Sequence, residues 1–257
     1  MLLENKNAII YGAGGSIGSA VANAFAREGA KVFLAGRTQA SLDKVAAAIV
    51  TAGGLAETAV VDAVDEKTVD SYVDNIFRKT GSIDISFNAI GLDDVHGTPL
   101  LDLSLDDFVR PVTIAMKTQL ITARAAGRYM LKQGAGVILS ITATPAGKPY
   151  PLVGGFGPAC SAIEGFSRNL ASELGPFGVR VVCLRSAGSP DSDVFIKAAA
   201  HEGTLAKMSI KNVVDDTMLR RLPVLSEIAN VAVFMVSDKA SGITGSIANV
   251  TCGTTFY

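Results

Sequence analysis

The sequence predicts a single α/β domain in which helices cover both faces of a seven-stranded parallel sheet. Short apolar runs alternate with longer amphipathic segments along the 257-residue chain. This alternation is typical of parallel strands joined by right-handed helical crossovers. The apolar runs carry few charges, as strands buried on both faces of a sheet require. Since no linker, repeat or low-complexity segment interrupts the pattern, residues 1–257 are expected to form one doubly wound, Rossmann-type domain.

Seven apolar runs are predicted strands because polar or glycine residues bound each of them. They cover residues 8–11, 31–35, 59–61, 83–87, 136–141, 179–184 and 247–250. Helical patterns between the strands cover about 18–28, 39–52, 65–79, 104–133, 157–174 and 226–237. The segment 188–222 breaks the alternation and is rich in Ser, Asp and Lys, which predicts an inserted flap with short helices.

The composition points away from several kinds of partner. The formal net charge is −1, so no basic surface for nucleic acid or an anionic membrane is expected. No apolar run reaches the roughly 18 residues of a spanning helix, and the first residues are too polar for a secretory signal. Three widely spaced cysteines form no disulfide framework, and two histidines are too few for a histidine-built metal site. We therefore expect a cytoplasmic protein that binds a small molecule, without a metal and without a membrane partner.

A glycine-rich loop follows the first strand and opens the first helix. Its candidate cofactor-binding residues are Gly12, Gly14, Gly15, Ser16, Ile17 and Gly18. Glycines at this place let the backbone approach a pyrophosphate, whose charge then meets the free N–H groups of the helix start. The pattern favours dinucleotide binding over the alternative, a tight turn that binds nothing.

The ends of the second and third strands bear on the choice of dinucleotide. An NAD site usually has an acidic residue after the second strand to hold the ribose 2′-OH. Here Gly36 and Arg37 leave space and positive charge for a 2′-phosphate, so NADP is expected rather than NAD; a merely solvated arginine is the alternative. Asp62, followed by Ala63, either accepts a hydrogen bond from an adenine amino group or caps the next helix.

The fourth predicted strand ends at Asn88, and Gly91 follows in the same loop. Ligands of such sheets bind beyond the carboxyl ends of the strands. Gly91 would permit close contact with a ribose. Asn88 either contacts the ligand or bridges backbone groups of neighbouring strands.

With residues 243–250 at the end of the chain, these motifs resemble the short-chain dehydrogenase/reductase family over essentially the whole sequence. Gly12, Gly15 and Gly18 match a Gly-x-x-Gly-x-x-Gly spacing, although Tyr11 replaces the threonine of the family's usual motif. The family's Asn-Asn-Ala-Gly is half kept at residues 88–91. The resemblance implies hydride transfer between a nicotinamide cofactor and a small-molecule substrate.

The resemblance also implies a catalytic set of Asn, Ser, Tyr and Lys, and this chain replaces all four. The equivalent positions are Ala115, Ala143, Phe156 and Cys160. A phenyl ring cannot transfer a proton, and general acid catalysis contributes about a hundred- to ten-thousand-fold. Ordinary ketone reduction is therefore expected to be weak or absent. The chain is either an NADP(H)-dependent oxidoreductase with another proton source, or a non-catalytic nucleotide-binding or scaffold protein.

Several polar residues near the expected cleft are weak substitutes for the missing donor. The main candidates are Thr142 and Tyr150, and the others are Thr144, Lys148, His96 and His201. Cys160 is either a reactive thiol at a helix start or a small, half-buried apolar filler. Leu152, Gly154, Gly155 and Phe156 predict an uncharged, mostly apolar cleft.

The two long helices predict self-association. Helices 104–133 and 157–174 carry small and apolar residues on more than one face, which requires a second partner besides the sheet. The residues concerned are Ala123, Ala125, Ala126, Gly127, Ala159, Ala162, Ile163 and Phe166. Pairing between two-fold related subunits would cover them, and the family resemblance implies the same arrangement. We expect a homodimer or homotetramer.

Overall fold

A computed structural model describes residues 1–200 and 211–255 of the protein. Within this part, seven strands pair in parallel to form one sheet. In chain order they are β1 (Asn7–Tyr11), β2 (Lys31–Gly36), β3 (Leu55–Val60), β4 (Ile85–Asn88), β5 (Gly136–Ala143), β6 (Val179–Ser186) and β7 (Ile247–Val250). Their order across the sheet is β3-β2-β1-β4-β5-β6-β7. The predicted α/β class and seven-stranded parallel sheet are confirmed.

The helices that connect the strands begin and end within two residues of the predicted positions. They are α1 (Ser16–Arg27), α2 (Gln39–Thr51), α3 (Glu66–Thr80), α4 (Leu105–Gln133), α5 (Phe156–Leu174) and α7 (Leu225–Val236). The predicted flap 188–222 contains a further helix, α6 (Asp193–Ala200), and a short helical stretch at 211–215. Residues 201–210 of that flap are outside the described residues.

The third strand differs most from its prediction, because β3 begins at Leu55 rather than at residue 59. β3 lies at the edge of the sheet, and the side chains of Leu55 and Val60 are 64% and 56% exposed. An edge strand tolerates a charge, and Glu57 in its middle pairs with Lys31 and Lys79 at 2.7 Å each. A prediction from continuous apolar runs therefore missed the beginning of β3.

The core lies on both sides of the sheet. Successive residues of β1 point to opposite faces, so Ile9 and Ile10 are both fully buried but belong to different clusters. On the side of Ile10 the sheet packs against α1, α2 and α7, with Phe25 at the centre. On the side of Ile9 it packs against α3, α4 and α5, with Val73 and Ala126 buried there.

The strand order reverses between β1 and β4, which creates the crevice of this fold. Tyr11 at the end of β1 is paired with Asn88 at the end of β4. The loops that follow these two strands therefore leave the sheet side by side and connect in opposite directions. Ligands of doubly wound sheets bind at such a switch point, and the candidate cofactor residues lie there.

The N-cap of α3 tests one of the two roles that the sequence allowed for Asp62, namely capping the next helix. Asp65 accepts hydrogen bonds from the backbone amides of Lys67 and Thr68 at 3.0 and 3.3 Å. The hydroxyl of Thr68 also donates to Asp65, and these hydrogen bonds lower the pKa of the Asp65 carboxyl. Among the described residues the side chain of Asp62 accepts a hydrogen bond only from the amide of Val64, at 3.2 Å, so the alternative in which Asp62 caps this helix is wrong.

We expect Asp65→Ala to lower the urea midpoint of unfolding at pH 7, because the first turn of α3 loses its cap. Asp62→Ala is the matched control and should leave the midpoint nearly unchanged. Because folding lowers the pKa of Asp65, its contribution is present above the titration range of the carboxyl and is lost on acidification. The gap between Asp65→Ala and the parent should therefore narrow toward pH 3, and a gap independent of pH would contradict the cap.

Candidate functional site

The glycine loop after β1 is held in its shape by backbone contacts that admit no side chain. Gly12 has a φ of +74°, and a Cβ atom there would clash with the carbonyl oxygen of Ala89, in the loop after β4. A Cβ atom on Gly18 would clash with the carbonyl oxygen of Gly12. Gly15 is the N-cap of α1 and makes no side-chain cap, so the amides of the first helical turn remain available. The loop has the close backbone approach that a pyrophosphate cradle needs.

The remaining predicted residues of this loop lie on its accessible side. Gly14 is exposed, and a Cβ atom there would lie 2.8 Å from the Cβ of Ser41 in α2. Ser16 and Ile17 are half-buried in the first turn of α1. The hydroxyl of Ser16 accepts a hydrogen bond of 3.0 Å from the amide of Asp193, the first residue of α6. The start of the flap therefore touches the edge of the glycine loop.

Arg37 follows β2 and is exposed. Among the described residues its guanidinium has no hydrogen-bond or ion-pair partner. Asp62 is exposed at the end of β3, and Ala63 beside it is 8% exposed. These three residues lie at the same edge of the sheet as the glycine loop, and Arg37 and Asp62 carry exposed charges there.

The loop after β4 contains a buried residue with structural hydrogen bonds, Asn88, and an exposed glycine, Gly91. Asn88 is 5% exposed and donates a hydrogen bond of 3.2 Å to the hydroxyl of Thr122 in α4. Its side-chain oxygen accepts from the amide of Ile90 at 3.2 Å. Asn88 thus joins its own loop to α4, a contact that was not foreseen because Thr122 is distant in sequence. Gly91 is exposed, and no atom lies within 4 Å of the place where its Cβ would be.

These residues fit a dinucleotide such as NADP(H). The glycine loop and the start of α1 would hold the pyrophosphate, while Arg37 would meet a 2′-phosphate. The open space at Gly91 leaves room for a ribose.

The four positions equivalent to the family's catalytic set come together in space. Ala115 is fully buried and packs in one apolar cluster with Ala159 and Ile163, and the half-buried ring of Phe156 rests on this cluster. Cys160 lies one turn after Phe156 in α5 and has a backbone hydrogen bond with Ala143. Apolar packing thus predominates around the positions that the sequence predicts to correspond to the family's polar catalytic groups.

The thiol of Cys160 is only 1% exposed. Burial, the largest effect, raises its pKa to about 12, although the hydrogen bond with Ala143 acts in the opposite direction. The sulfur therefore stays protonated near neutral pH, which favours the apolar-filler interpretation over a reactive thiol. The side chain is more deeply buried than the half-buried filler expected from the sequence.

A buried ion pair lies beneath this cluster and was missed by sequence reasoning. Arg185 of β6 and Glu164 of α5 form a two-pronged pair, with Nε–Oε1 and Nη2–Oε2 distances of 2.8 and 2.6 Å. Their side chains are 5% and 4% exposed. The hydroxyl of Thr142 donates to Glu164 at 3.0 Å and lies 3.3 Å from the carbonyl oxygen of Leu184. An arginine at the end of an apolar strand and a glutamate one turn after Cys160 were the available signals.

Most substitute donors prove to be occupied or enclosed. Thr142 is 5% exposed and its hydroxyl belongs to the buried network. The hydroxyl of Tyr150 is buried and has no hydrogen-bond partner among the described residues. Lys148 pairs with Asp216 at 2.7 Å, and this hydrogen bond raises the pKa of the lysine. Thr144 is also 5% exposed, and His201 lies outside the described residues.

His96 is different, because its imidazole reaches the position of the family's tyrosine. Its ring centroid lies 5.5 Å from that of Phe156, with the planes inclined by 49°. Its Nε2 atom is 2.5 Å from Oδ2 of Asp94, and half of the His96 side chain is exposed. The rim of the cleft is therefore more polar than the predicted uncharged, mostly apolar cleft.

Gly154 and Gly155 allow close packing of neighbouring chain segments and do not form an apolar lining of the cleft. Gly154 has a φ of +54°, and a Cβ atom there would lie 2.7 Å from the carbonyl oxygen of Val95. A Cβ atom on Gly155 would lie 2.8 Å from Cγ of Pro111 in α4. The amide of Gly97 also donates a hydrogen bond of 2.9 Å to the carbonyl oxygen of Leu152. The loops after β4 and β5 are thus packed together over the start of α5.

Other kinds of site find no support in the part of the chain that the structure describes. Those residues contain no group of three or more His, Cys, Asp or Glu side chains placed to share a metal ion. None of their helices combines the length and apolar character needed to cross a bilayer. An open cavity of about 440 Å³ lies between residues 218–223 and the end of β7, but neither Phe156 nor His96 lines it.

Comparison with known proteins agrees with this site. A family model described as enoyl-(acyl carrier protein) reductase matches residues 12–255. The uncharacterized oxidoreductase YxbG of Bacillus subtilis strain 168 is 31% identical over 245 residues, which cover 95% of this chain and 88% of that protein. The chain therefore belongs to the short-chain dehydrogenase/reductase family of oxidoreductases. The family resemblance predicted from the sequence is confirmed.

Solved structures of similar fold contain both kinds of dinucleotide. An NAD⁺-bound xylitol dehydrogenase has a TM-score of 0.90 and 26% identity, and the match covers 97% of this chain and 99% of that chain. A structure from Beutenbergia cavernae with NADP bound at low occupancy has a TM-score of 0.86 and 27% identity, with 98% and 97% covered. The neighbours thus bind NAD or NADP, and they do not decide between the two for this chain.

We expect Glu164→Gln to lower the free energy of unfolding by about 3–5 kcal/mol, because it leaves the guanidinium of Arg185 buried without its counter-ion. Urea denaturation at pH 7 measures the loss. Lys79→Ala is the control, because it removes one partner of an ion pair whose lysine side chain is 57% exposed. Such a pair contributes at most about 1 kcal/mol. Equal losses in the two variants would contradict a structural role for the buried pair.

Proposed function

We propose that the protein is an NADP(H)-dependent oxidoreductase of a small molecule and that it delivers the proton by a route other than the family's tyrosine. The glycine cradle and the unpaired side chain of Arg37 support the choice of cofactor. Bound NADPH supplies hydride. The observation that carries the proposal is the combination of an intact cradle with Phe156 and Cys160 at the proton-transfer positions.

The proposed substrate is one whose reduction depends more on hydride than on a strong acid, such as an activated enone or an imine. An alkoxide that forms during carbonyl reduction needs a positioned donor, and Phe156 and Ala143 offer none. Reduction of a conjugated double bond places less charge on a single oxygen. The family model that matches the chain is described for an enoyl substrate, which is consistent with this choice.

A non-catalytic nucleotide-binding or scaffold protein is the second candidate. It is favoured by the apolar cluster of Ala115, Ala159 and Ile163, which with Phe156 fills the space of the family's polar catalytic set. A single compensating substitution cannot replace the functions of all four lost catalytic groups. Binding of NADPH without turnover of ketones, enones or imines would support this candidate.

We also propose that the protein self-associates and is located in the cytoplasm. Ala123, Ala125, Ala126 and Gly127, which suggested a partner, are already buried within the single chain. The apolar side chains of α4 that remain exposed are Leu105, Val109, Leu120 and Leu131. A homodimer or homotetramer would cover some of them. The cysteines, of which Cys160 and Cys183 are buried free thiols, are consistent with a reducing compartment.

Arg37→Glu should weaken NADPH binding about 10- to 100-fold and leave NADH binding nearly unchanged, because a charge-assisted hydrogen bond to the 2′-phosphate contributes about 1.5–3 kcal/mol. Calorimetric dissociation constants for both cofactors measure the effect. Arg27→Glu makes the same change of charge at the far end of α1, near the opposite edge of the strands, and should alter neither constant. An unchanged NADPH-to-NADH ratio in Arg37→Glu would mean that Arg37 is merely solvated.

Restoring the family's groups should restore its chemistry. The double change Phe156→Tyr with Cys160→Lys, alone and with Ala143→Ser, is expected to raise ketone turnover at least about a hundredfold, because it returns a proton donor and its ammonium partner. NADPH binding and thermal unfolding show whether each variant is folded. A parent protein that already reduces simple ketones at about 1–1000 s⁻¹ would contradict the loss of the family route.

A further inference from the structure

The imidazole of His96 is the one titratable side chain that the structure places against the ring of Phe156 with half of its surface open. In the described part of the chain, the other candidate donors near this ring are enclosed or paired. Thr142 is committed to Glu164, and Lys148 to Asp216. The hydroxyl of Tyr150 is buried.

The position of His96 is set by several backbone contacts on both sides of it. On one side, the amide of Gly97 is bonded to the carbonyl oxygen of Leu152 at 2.9 Å. On the other side, Nε of Arg110 donates to the carbonyl oxygen of Asp93 at 3.0 Å, and the Asp93 carboxylate lies 3.1 Å from the same nitrogen. The loop after β4 is therefore fastened to α4 and to the loop after β5, and His96 is held between these attachments.

Asp94 orients the imidazole. Its Oδ2 atom lies 2.5 Å from Nε2 of His96, and its side chain is 24% exposed. A carboxylate that accepts from one ring nitrogen sets the tautomer and stabilises the protonated ring. The second ring nitrogen, Nδ1, has no partner among the described residues. The pair has the arrangement of an oriented acid with one nitrogen free to donate.

We propose that His96, oriented by Asp94, is the catalytic acid that stands in for the missing tyrosine. This inference rests on the proposed oxidoreductase function. With NADPH bound, the nicotinamide would supply hydride to the substrate carbon, and the π-electron pair of the reacting group would move to its oxygen or nitrogen. The proton on Nδ1 of the imidazolium forms the new O–H or N–H bond. The imidazole is left neutral and regains its proton from solvent through its exposed edge.

Phe156 has a defined part in this arrangement. Its ring lies beside the imidazole, with the ring centroids 5.5 Å apart and the planes inclined by 49°. The replacement of tyrosine by phenylalanine also removes a hydroxyl that would otherwise compete for the substrate. His96 and Asp94 come from the loop after β4, whereas the family's tyrosine comes from α5, so the donor has moved to the opposite wall of the cleft.

The test uses His96→Gln, His96→Ala and Asp94→Asn in the NADPH-loaded protein, with a panel of enones, imines and ketones. His96→Gln keeps a donor that can bond to Asp94 but cannot exchange a proton, and Asp94→Asn removes the orienting charge. Asp102→Asn is the control, because Asp102 is exposed in the same loop after β4 and its side chain has no hydrogen-bond or ion-pair partner among the described residues. Thermal unfolding and NADPH binding verify the folding of each variant.

The expected result is a loss of kcat of about a hundredfold or more in His96→Gln with KM nearly unchanged. Asp94→Asn should lose kcat in the same direction, and Asp102→Asn should keep it within twofold. Free imidazole should restore part of the turnover to His96→Ala. A His96→Gln variant that keeps the kcat of the parent would overturn the assignment of His96 but leave the proposed oxidoreductase function standing.

A second readout needs no turnover. In the cofactor-free protein the ¹⁵N resonances of the ring should show a hydrogen on Nε2, bonded to Asp94, and this signature should disappear in Asp94→Asn. Only two histidines are present, so His201→Gln assigns the spectrum. A parent ring that carries no hydrogen on Nε2 would overturn the dyad. A parent that turns over no member of the panel would overturn the proposed function and the acid role of His96 together.

Discussion

The close approach of two backbone loops at the carboxyl end of the sheet is the constraint on which the site depends. The loop after β1 and the loop after β4 leave neighbouring strands, and Gly12 has no side chain to hold Ala89 away. This contact shapes the start of α1 into a cradle for phosphate and directs the loop after β4 along the rim of the cleft. Any larger residue at Gly12 would both strain a left-handed backbone and separate the two loops. The shape of the cofactor cradle and the position of His96 both follow from this packing of the two loops.

Charge near the positions predicted to correspond to the family's catalytic set is buried in an ion pair. Phe156 packs on an apolar cluster with Ala115. Arg185 and Glu164 form a two-pronged ion pair that also engages Thr142. Burying two charges is costly, and their attraction offsets that cost only when the geometry is good and the remaining lone pairs are bonded. The pair holds β6 to α5 and leaves the cleft side of α5 free of fixed charge.

The segments that bound the cleft contact one another. The loop after β5 is bonded to the loop after β4 through Leu152 and Gly97, and to the flap through the ion pair of Lys148 with Asp216. The flap in turn contacts the glycine loop at Ser16. Described parts of the flap thus contact both the glycine loop and the loop after β5.

The sequence by itself determined the sheet, the order of its elements and the family, because buried parallel strands are apolar and their loops need glycine at particular places. It also predicted cofactor-binding residues in the glycine loop and at Arg37 and four replaced catalytic positions, and these assignments stay predictions. It did not reveal the beginning of β3, whose edge position admits Glu57, or the cap at Asp65, which lies three residues from the expected Asp62. Nor did it reveal the pair of Arg185 with Glu164 or the contact of His96 with Phe156. Those arise only when distant segments pack together, because the partner of a polar side chain is chosen by tertiary contact and leaves no periodic pattern in the chain.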